Sequence, residues 1–560
     1  MCGFLGLIGQ NLQSLHLAQG YLSLRRRGPD SQQTWIDQSQ RVGLMHARLA
    51  IVDPIARANQ PLANGRGDLI VAFNGEIYNH QELRGSLCDY AFQTDADTEV
   101  ILAAYECEQF SGLARLKGMF SFALVDLTRQ CVIVMRDAVG KKPLFIARGT
   151  QSLAFGSSIE ALRAVMHAHN GERPKLRADA LDHYWTHGHM PANESAFLGV
   201  TPVLPGQALV FDFQGNLLES KVITPALQHQ YEGESAGACT KRLRELLEAA
   251  VTLRADPAGE LSVLLSGGVD STIVSAMTNK LAQQRGQKVN ALTLASFVPN
   301  TNDERYARFA AKREGLDLRL LYLPRDNLAE RVCSKLDLQD EPLGFISYFL
   351  LSQLVEAAAE HGRILLTGDG GDEVFMGYGN PTDWMHSSMH TASMHTTAAI
   401  PCGPPLPSWM SAWGVEMASS ALLAHGFCKT DRASAEQGVE LRSPLLDWDV
   451  MSYARSLPYA RLFPKDTAKS LLKTMLADWP SQFVERKKLG FTFNMRWYWG
   501  FRRFAGLRES FVGSLVSGLS EKLPAELSPD PRRWSNLQCF RHFSEIWKAL
   551  AWQRFVHRSQ

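Results

Sequence analysis

The chain has 560 residues, of which 45% are hydrophobic and 21% are charged, and its formal net charge is +1. This length is too great for one hydrophobic core, so two or more domains are expected. The near-neutral charge excludes a nucleic-acid binder that works by bulk electrostatics, and no apolar run reaches the roughly 18 residues of a membrane-spanning helix. The nine cysteines include no CxxC pair, and the N-terminus lacks a signal-peptide pattern, which favours a reduced, cytoplasmic protein.

The chain begins with MCGFLGLIG, an apolar segment of strand character with cysteine at position 2. Methionine aminopeptidase removes Met1 when the next side chain is small, and Cys2 would then carry both a thiol and a free α-amino group. A thiolate is a strong nucleophile, and a neighbouring primary amine can act as its base. The alternative is that Cys2 is a small apolar residue in a buried strand, and position 2 by itself favours that alternative.

Residues 2–225 contain short β-rich segments, turn residues and three helical segments, which predicts a layered α+β domain. The predicted helices are Leu15–Arg26, Asn79–Leu87 and Glu99–Glu108, the last of which follows the N-cap cluster TDADT. The predicted strands lie within residues 42–53, 68–79, 120–137, 144–149 and 153–158.

Polar residues follow several of these strands, at the positions where sites are usually built. Asn74 and Gly75 could direct a side-chain amide and a backbone N–H at one oxygen, as an oxyanion requires. Arg48 offers a guanidinium fork for a carboxylate, and Glu76 and Asp97 could hold an ammonium group. An amino acid carries one group of each charge. Together with Cys2, these residues therefore indicate an amino-acid substrate.

These motifs resemble those of class II glutamine amidotransferases, the N-terminal-nucleophile hydrolases, and in particular the asparagine synthetase family. The segments that carry the resemblance are CGFLG, RGPD, HARLAIVD, QP, FNGEIYN, DTEV and RDAVGKKPL. It implies an αββα glutaminase domain over residues 2–225, in which Cys2 attacks the side-chain amide of glutamine and releases ammonia. It also implies that Asn74 and Gly75 form the oxyanion hole. The implied glutamine-binding residues are Asn74, Arg48 for the carboxylate, and Glu76 with Asp97 for the amine.

After the polar segment at residues 229–239, strands alternate with helices, which predicts a parallel, doubly wound α/β sheet with ligands at its carboxyl edge. LSVLLSGGVDSTIVSAM (261–277) has the pattern of a buried strand, a Gly-rich turn and a helix. The turn would place backbone N–H groups at a helix N-terminus, where a phosphate binds favourably. It is not a Walker A loop, and Asp270 stands where a cation bridging phosphates needs a carboxylate. A bare SGG is also a common loop, but the flanking strand and helix disfavour that alternative.

A second candidate ligand site is the acidic cluster Asp369, Asp372 and Glu373 in TGDGGDE, directly after an apolar segment. The interspersed glycines would let the backbone approach a ligand. A solvated acidic turn is the alternative. The position directly after a predicted strand favours a ligand role at the edge of the sheet.

SGGVDST, DGGDE, LRSPLLD (441–447) and RKKLGF (486–491) are similar to the synthetase domain of asparagine synthetases, an ATP-pyrophosphatase-type fold that forms acyl-adenylates. This domain would span residues 236–560. The resemblance implies that Asp270 and Asp372 ligate Mg²⁺ and that Lys488 stabilises the adenylate or the leaving pyrophosphate. Asp369 stands where family members that make free asparagine usually have glutamate, which contacts the substrate or its intermediate. The implied ATP-binding residues are Leu265, Ser266, Gly267, Gly268, Asp270, Ser271, Thr272, Gly368 and Asp372.

Together the two resemblances imply a carbon–nitrogen ligase that converts glutamine, ATP and a carboxylate into glutamate, AMP, pyrophosphate and an amide. Aspartate is the expected acceptor, and a sugar-acid, peptide or natural-product carboxylate is the alternative. A non-catalytic scaffold relative and a ligase that uses free ammonia are disfavoured because both sets of motifs are complete. The expected partners are these small molecules, without nucleic acid or membrane, and a homodimer is one assembly considered.

Two further segments give predictions of their own. Residues 381–415 contain three Met-His pairs, which could bind copper or belong to an amphipathic lid helix. The aromatic-rich tail after residue 500 is predicted to form helices that pack on the synthetase domain.

Overall fold

In the computed structural model, the described residues are 2–226, 231–256, 259–295, 302–323, 327–377, 426–464, 467–486, 515–516, 518–527, 530–535, 538 and 542–559. Lys488 and the segment 381–415 lie outside them, so the predictions made for both stay predictions. Among the described residues, no helix has the length and apolar character needed to span a membrane.

The first domain is built from antiparallel strands with helices on the outside. Its strands are β1 Gly3–Ile8, β2 Ser31–Ile36, β3 Val42–Arg48, β4 Leu62–Ala63, β5 Leu69–Ile77, β6 Gly118–Asp126, β7 Cys131–Arg136, β8 Phe145–Arg148, β9 Leu153–Gly156, β10 Val200–Pro202, β11 Gln207–Asp212 and β12 Leu217–Val222. Its helices are α1 Ser14–Leu24, α2 His80–Ser86, α3 Glu99–Leu113, α4 Ile159–Asn170 and α5 Ala180–His187.

These strands form two six-stranded sheets, in the orders β10-β8-β9-β1-β3-β2 and β12-β11-β7-β6-β5-β4. Along β1, Phe4 and Ile8 face the second sheet, whereas Leu5 and Leu7 pack against the core beneath α1 and α4. The period of two along a strand directs alternate side chains to opposite faces, which explains this division. With α2 and α3 against the second sheet, the domain has four layers, as an αββα fold requires.

The second domain contains a five-stranded parallel sheet in the order β15-β14-β13-β16-β17. Its strands are β13 Leu261–Leu264, β14 Val289–Ala295, β15 Asp317–Tyr322, β16 Ile364–Leu366 and β17 Glu440–Arg442. Helices connect parallel strands and bring their carboxyl ends to one edge. The described helices are α6 Ala236–Arg254, α7 Val269–Gln284, α8 Asn302–Glu314, α9 Leu328–Leu336, α10 Ser347–Ala358, α11 Gly371–Val374, α12 Cys428–Ala435, α13 Trp448–Ser456, α14 Tyr459–Leu462, α15 Ser470–Thr474, α16 Ser481–Val484, α17 Leu519–Lys522 and α18 Phe543–Ser559.

The structure corrects several sequence-based expectations. The helix predicted to end at Glu108 continues to Leu113 through a kink at Gln109, and Thr98 at its start makes no capping hydrogen bond with its side chain. The hydroxyl of Thr98 instead accepts from Gln60, because tertiary contacts take the polar groups of TDADT. The tail helix α18 also packs on the first domain, where Trp552 stacks on Tyr184.

Candidate functional site

Cys2 lies directly before β1, against the end of β3. The pairing of Gly3 with Ala47 sets this position, and the sulfur lies 3.4 Å from the backbone nitrogen of Leu49, which donates to it. Burial raises the pKa of the Cys2 thiol, while the chain's amino terminus, the Leu49 N–H and Arg48 act in the opposite direction. The surroundings therefore contain the groups that favour a thiolate, within an environment that by itself disfavours one.

Asn74 and Gly75 lie near the end of β5, on the sheet that faces β1. Asn74 is fully buried and its Nδ2 donates to Ser157 Oγ at 3.4 Å. Among the described residues, its Oδ1 has no hydrogen-bond partner. Ser157 Oγ also accepts from the N–H of Phe4, two residues after Cys2. Gly75 has φ 151°, and a Cβ there would lie 2.0 Å from the carbonyl oxygen of Met119, so the position requires glycine.

Arg48 is buried at the end of β3 and holds the chain that follows it. Its guanidinium donates to the carbonyl oxygens of Val52, Asp53 and Ile55 and, at 2.8 Å, to Asn59 Oδ1. These bonds fix the segment that also supplies the Leu49 contact to Cys2. The role predicted from the sequence, binding a substrate carboxylate, stays a prediction, and it would require Arg48 to exchange some of these acceptors.

Glu76 and Asp97 are buried neighbours whose charges interact. Asp97 accepts from the N–H of Ile77 at 2.9 Å, and burial raises the pKa of its carboxyl group. Glu76 accepts from Arg442 of the second domain at 2.8 Å. Burial holds the pKa of Glu76 well above its usual range, with Arg442 opposing and Asp97 reinforcing that shift. The structure thus brings the two predicted carboxylates together, but it pairs one of them with an arginine that sequence reasoning missed.

The loop between β13 and α7 has the form predicted for a phosphate site. Ser266 Oγ and Ser271 Oγ lie 3.0 Å apart, and the N–H of Ser266 donates to the Ser271 hydroxyl. Helix α7 has 16 residues and begins at Val269 in this loop, with Gly268 as its N-cap. Helix N-termini carry unsatisfied N–H groups and a partial positive charge, so this loop can bind an anion.

Asp270 and Asp372 meet on one cation, the ammonium group of Lys469. Lys469 Nζ bonds Asp270 Oδ2 and lies 2.6 Å from Asp372 Oδ1. Gly371 makes this approach possible, because a Cβ there would lie 2.5 Å from Asp270 Oδ1. Lys469 adopts φ 56°, which is uncommon for a residue with a side chain. No local signal in DTAKSLL indicates this role.

The donor set around this cation fits a divalent ion that bridges phosphates. Mg²⁺ is usually held by one or two carboxylates together with substrate oxygens, and Asp270 and Asp372 supply that number. Among the described residues there is no group of three or more His, Cys, Asp and Glu side chains that could form a complete protein cage. The arrangement therefore suits a metal that arrives with a nucleotide.

Asp369 lies between β16 and α11, beside this cation site. Its Oδ2 accepts from the hydroxyl of Thr367 at 2.9 Å. The Thr367 hydroxyl lies 3.2 Å from the hydroxyl of Ser443, which follows β17. The carboxylate is thus oriented by polar side chains from two adjacent strands.

A buried set of charges joins the site around Cys2 and the site around Asp270 and Asp372 across the domain interface. Arg442 contacts Glu440 and Glu76, and Lys142 lies 3.9 Å from Glu440. Both ion pairs of Arg442 are at 2.8 Å. These residues place charges from the two domains within one desolvated interface, so the domains are docked through specific pairs and not by apolar contact alone.

Comparisons with known proteins match both domains. The glutamine amidotransferase domain model matches residues 1–221, and the asparagine synthase model matches residues 242–399 and 408–517. The chain is 26% identical over 400 residues to putative asparagine synthetase (glutamine-hydrolyzing) 2 of Methanocaldococcus jannaschii, covering 68% of this chain and 76% of that protein.

Two further relatives are longer than this chain. It is 30% identical over 412 residues to asparagine synthetase (glutamine-hydrolyzing) 2 of Bacillus subtilis, covering 68% of this chain and 52% of that protein. It is 29% identical over 378 residues to amidase chry2 of Gibberella zeae, covering 63% of this chain and 54% of that protein. The matched region spans about half the length of each of these two relatives.

Proposed function

Because the chain belongs to the family of glutamine-hydrolysing asparagine synthetases, we propose that it transfers the amide nitrogen of glutamine to a carboxylate activated by ATP. The observation that carries this proposal is the meeting of Asp270 and Asp372 on one cation beside the N-terminus of α7. It supports a site for a metal–nucleotide complex in the same chain as a partly buried cysteine at position 2.

In the first step, Cys2 attacks the side-chain amide of glutamine and forms a thioester, with loss of ammonia. The α-amino group exposed by removal of Met1 accepts the thiol proton, and the Leu49 N–H stabilises negative charge on sulfur. Asn74 and Gly75 would donate to the oxyanion. Water then hydrolyses the thioester to glutamate.

Charge complementarity supports the proposed binding of the glutamine backbone. Asp97 and Glu76 supply negative charge for its ammonium group, and Arg48 supplies a guanidinium for its carboxylate. Because burial raises the pKa of both carboxyl groups, an incoming ammonium would favour their ionised forms.

In the second step, the acceptor carboxylate attacks the α-phosphate of ATP, and pyrophosphate leaves. The loop formed by Ser266, Gly267 and Gly268 would hold the phosphates through backbone N–H groups. Asp270 and Asp372 would hold Mg²⁺, which neutralises charge on the phosphates when it is bound. Lys469 lies where its ammonium can bind the same phosphates once the metal takes the carboxylates. We also propose for Lys488 the role that the resemblance implies, which is to stabilise the adenylate or the leaving pyrophosphate.

Aspartate is the acceptor we propose, since the family members named for a product make asparagine. Asp369 would face the ammonium group of aspartate, held in place by Thr367. A larger carboxylate, such as a uronic acid or a peptide, is the second candidate. Asp369 supports it, because it is one methylene shorter than the glutamate usual in asparagine-forming relatives and so leaves room in the pocket.

The replacement Cys2→Ala tests the coupling of the two steps. It should reduce glutamine-dependent amidation by at least about 10³-fold through loss of the nucleophile, while amidation with ammonium chloride continues. Intact mass measurement should show that Met1 is absent from the active protein. Glutamine-dependent activity that persists in Cys2→Ala would disprove the assignment of the nucleophile.

The acceptor is identified by pyrophosphate release with aspartate in comparison with a panel of uronic acids and peptidyl carboxylates. Saturable turnover with aspartate, with asparagine detected by mass, would exclude the larger acceptors. Turnover only with a sugar acid or a peptide would exclude aspartate and leave both half-reactions in place.

A further inference from the structure

Lys141 belongs to the first domain but reaches the synthetase half-site of the second, which is the group formed by Asp270, Asp369, Asp372 and Lys469. It follows β7, and its Nζ donates to Ser443 Oγ at 2.5 Å. The side chain is buried, with 8% of the residue exposed. It therefore crosses the domain interface in a desolvated environment, where a hydrogen bond from an ammonium group is strong.

The hydrogen bonds continue from Ser443 to Asp369 in the synthetase half-site. Ser443 Oγ lies 3.2 Å from Thr367 Oγ1, and the Thr367 hydroxyl donates to Asp369 Oδ2 at 2.9 Å. Each hydroxyl has one proton to donate. Since the ammonium form of Lys141 can only donate and the Asp369 carboxylate can only accept, the bonds then all run in one direction, from the ammonium to the carboxylate.

The backbone around Lys141 is fixed by a buried carboxylate of its own domain. The N–H groups of Val139 and Lys141 donate to Asp137 Oδ1, and the N–H of Lys142 donates to Asp137 Oδ2. The first two bonds are at 3.0 Å and the third is at 3.1 Å. Lys141 is thus presented to the second domain from a rigid loop, as a positioning residue must be.

We propose that Lys141 is a positioning residue for the acceptor site, holding Asp369 through Ser443 and Thr367 in the orientation that faces the acceptor. The inference rests on the proposed function, because that function gives Asp369 its substrate. It makes the first domain part of the structure of the second active site, in addition to a source of ammonia.

Charged groups from both domains surround Lys141. Burial lowers the pKa of Lys141 to about 7, with Asp369 and Asp137 opposing that shift and Lys142 and Arg254 reinforcing it. Below this pH Lys141 is charged, and its hydrogen bond to Ser443 is charge-assisted. Above this pH the charge is lost. The cavity on the other side of Lys141 is lined by the charged residues Arg27, Arg136, Asp340, Asp431 and Arg432.

The test is acceptor-dependent ATP–pyrophosphate exchange without any nitrogen donor, with aspartate and then the acceptor panel as probes. We expect Lys141→Met and Ser443→Ala to raise the KM for the acceptor about tenfold, as the loss of a charge-assisted hydrogen bond predicts. The KM for ATP and the rate of glutamine hydrolysis should stay within about twofold. Lys141→Arg should restore most of the acceptor affinity.

The matched control is Lys117→Met, which removes another lysine that bridges the domains. Lys117 pairs at 2.9 Å with Asp449, a residue outside the Ser443–Thr367–Asp369 relay. It should leave the KM for the acceptor unchanged if Lys141 acts by positioning and not by general docking. In the wild type this KM should rise as pH increases through about 7. The rise should vanish in Lys141→Met and move to higher pH in Lys141→Arg.

An unchanged KM for the acceptor in Lys141→Met would overturn the inference and leave the proposed function intact. If the wild type shows no exchange with any acceptor, the proposed adenylation fails separately. Hydrogen exchange of the peptide 366–371 then decides the inference. Faster exchange in Lys141→Met than in the wild type and in Lys117→Met would support positioning, and equal exchange in all three would overturn it.

Discussion

The two half-sites of this chain are built in different ways. The glutaminase half-site lies on β1, β3 and β5, antiparallel strands whose polar residues come from closely spaced motifs. The synthetase half-site is assembled at the carboxyl edge of a parallel sheet from three distant segments, the loop after β13, the loop after β16 and Lys469. Short motifs contain most of the residues proposed for the first half-site, whereas the second depends on convergence that only the fold reveals.

The half-sites also differ in how their charges are engaged. Arg48 and Glu76 already have protein partners, so the proposed binding of glutamine would require an exchange with them. Among the described residues, Asp270 and Asp372 both pair with the ammonium group of Lys469, whose place a divalent cation could take. Variants at the synthetase half-site should therefore reduce acceptor-dependent exchange without reducing glutamine hydrolysis. Variants at the domain interface should instead weaken the contact between the domains.

Asp270→Asn should have the largest effect. It removes one of the two carboxylates that would hold a phosphate-bridging divalent ion together with the substrate oxygens. We expect acceptor-dependent pyrophosphate exchange to fall by about 10³-fold, as for the loss of a strong transition-state contact. Glutamine hydrolysis should stay within about twofold, since the half-sites share no residue.

The control for this prediction is Asp317→Asn, which changes an exposed aspartate on the edge strand β15. It should leave both activities unchanged. Equal loss of glutamine hydrolysis and exchange in Asp270→Asn would mean that the two half-sites do not act independently.

Lys469→Met should destabilise the second domain by about 3 kcal/mol, because it removes the ammonium group that pairs with the buried carboxylate of Asp270 and the partly buried carboxylate of Asp372. Mg²⁺ should then stabilise the variant more than the wild type, since it binds only the native arrangement. Urea unfolding with and without Mg²⁺ measures both effects. Lys473→Met, which breaks a partly exposed pair with Glu485, should cost less than about 1 kcal/mol. Equal stabilisation of variant and wild type by Mg²⁺ would show that the metal does not use these carboxylates.

Local patterns predicted the strands β1, β3 and β5 to β9 and the β13–α7 unit, because these segments follow hydrophobic periodicity. They did not predict β2, β4, β10 to β12, α4 and α5. β17 was missed because it has only three residues, and two of them, Glu440 and Arg442, are buried charges that satisfy each other. Such a segment has no apolar pattern, and its place in the sheet depends on pairing with β16. The extension of α3 beyond Gln109 was missed for a related reason, since packing and not propensity maintains it.

In the candidate site, residues inside contiguous motifs could be named from the sequence, whereas their partners could not. Asp270 and Asp372 were predicted as a pair, but Lys469 between them was not, because nothing near it in sequence carries the signal. Glu76 was assigned to the substrate on the basis of its motif. Its contact with Arg442 arises only when the two domains dock, which is a long-range event that no local window contains.

Asp431→Asn tests the buried pair that joins the domains near Cys2. Arg27 donates to both oxygens of Asp431, at 2.8 and 3.0 Å. Burial opposes ionisation of Asp431, but Arg27 outweighs it and the pKa lies below its usual range. The variant should lose about 2 kcal/mol of unfolding free energy, as expected for one hydrogen bond to a charged group. Combined with Arg27→Gln in a double-mutant cycle, additive losses would contradict direct coupling.

Arg363→Met should have the smallest effect, because it breaks a domain-bridging pair that water reaches. Arg363 contacts Asp30 with 45% of its own side chain and 27% of the Asp30 side chain exposed, so screening limits the loss to less than about 1 kcal/mol. Burial works to raise the pKa of Asp30, but Arg363 and the N–H of Ala50 together lower it below the ordinary 3.8. A carboxyl group with a lowered folded-state pKa stabilises above its unfolded pKa, and this stabilisation is lost as pH falls through the folded value. The difference between wild type and Arg363→Met should therefore be constant between about pH 5 and 7 and should shrink below pH 4.

The difference between wild type and Arg363→Met should also shrink in high salt, whereas the Arg27–Asp431 pair should keep most of its effect because it is buried. A salt-independent difference for Arg363→Met would show that this pair is as desolvated as the buried one.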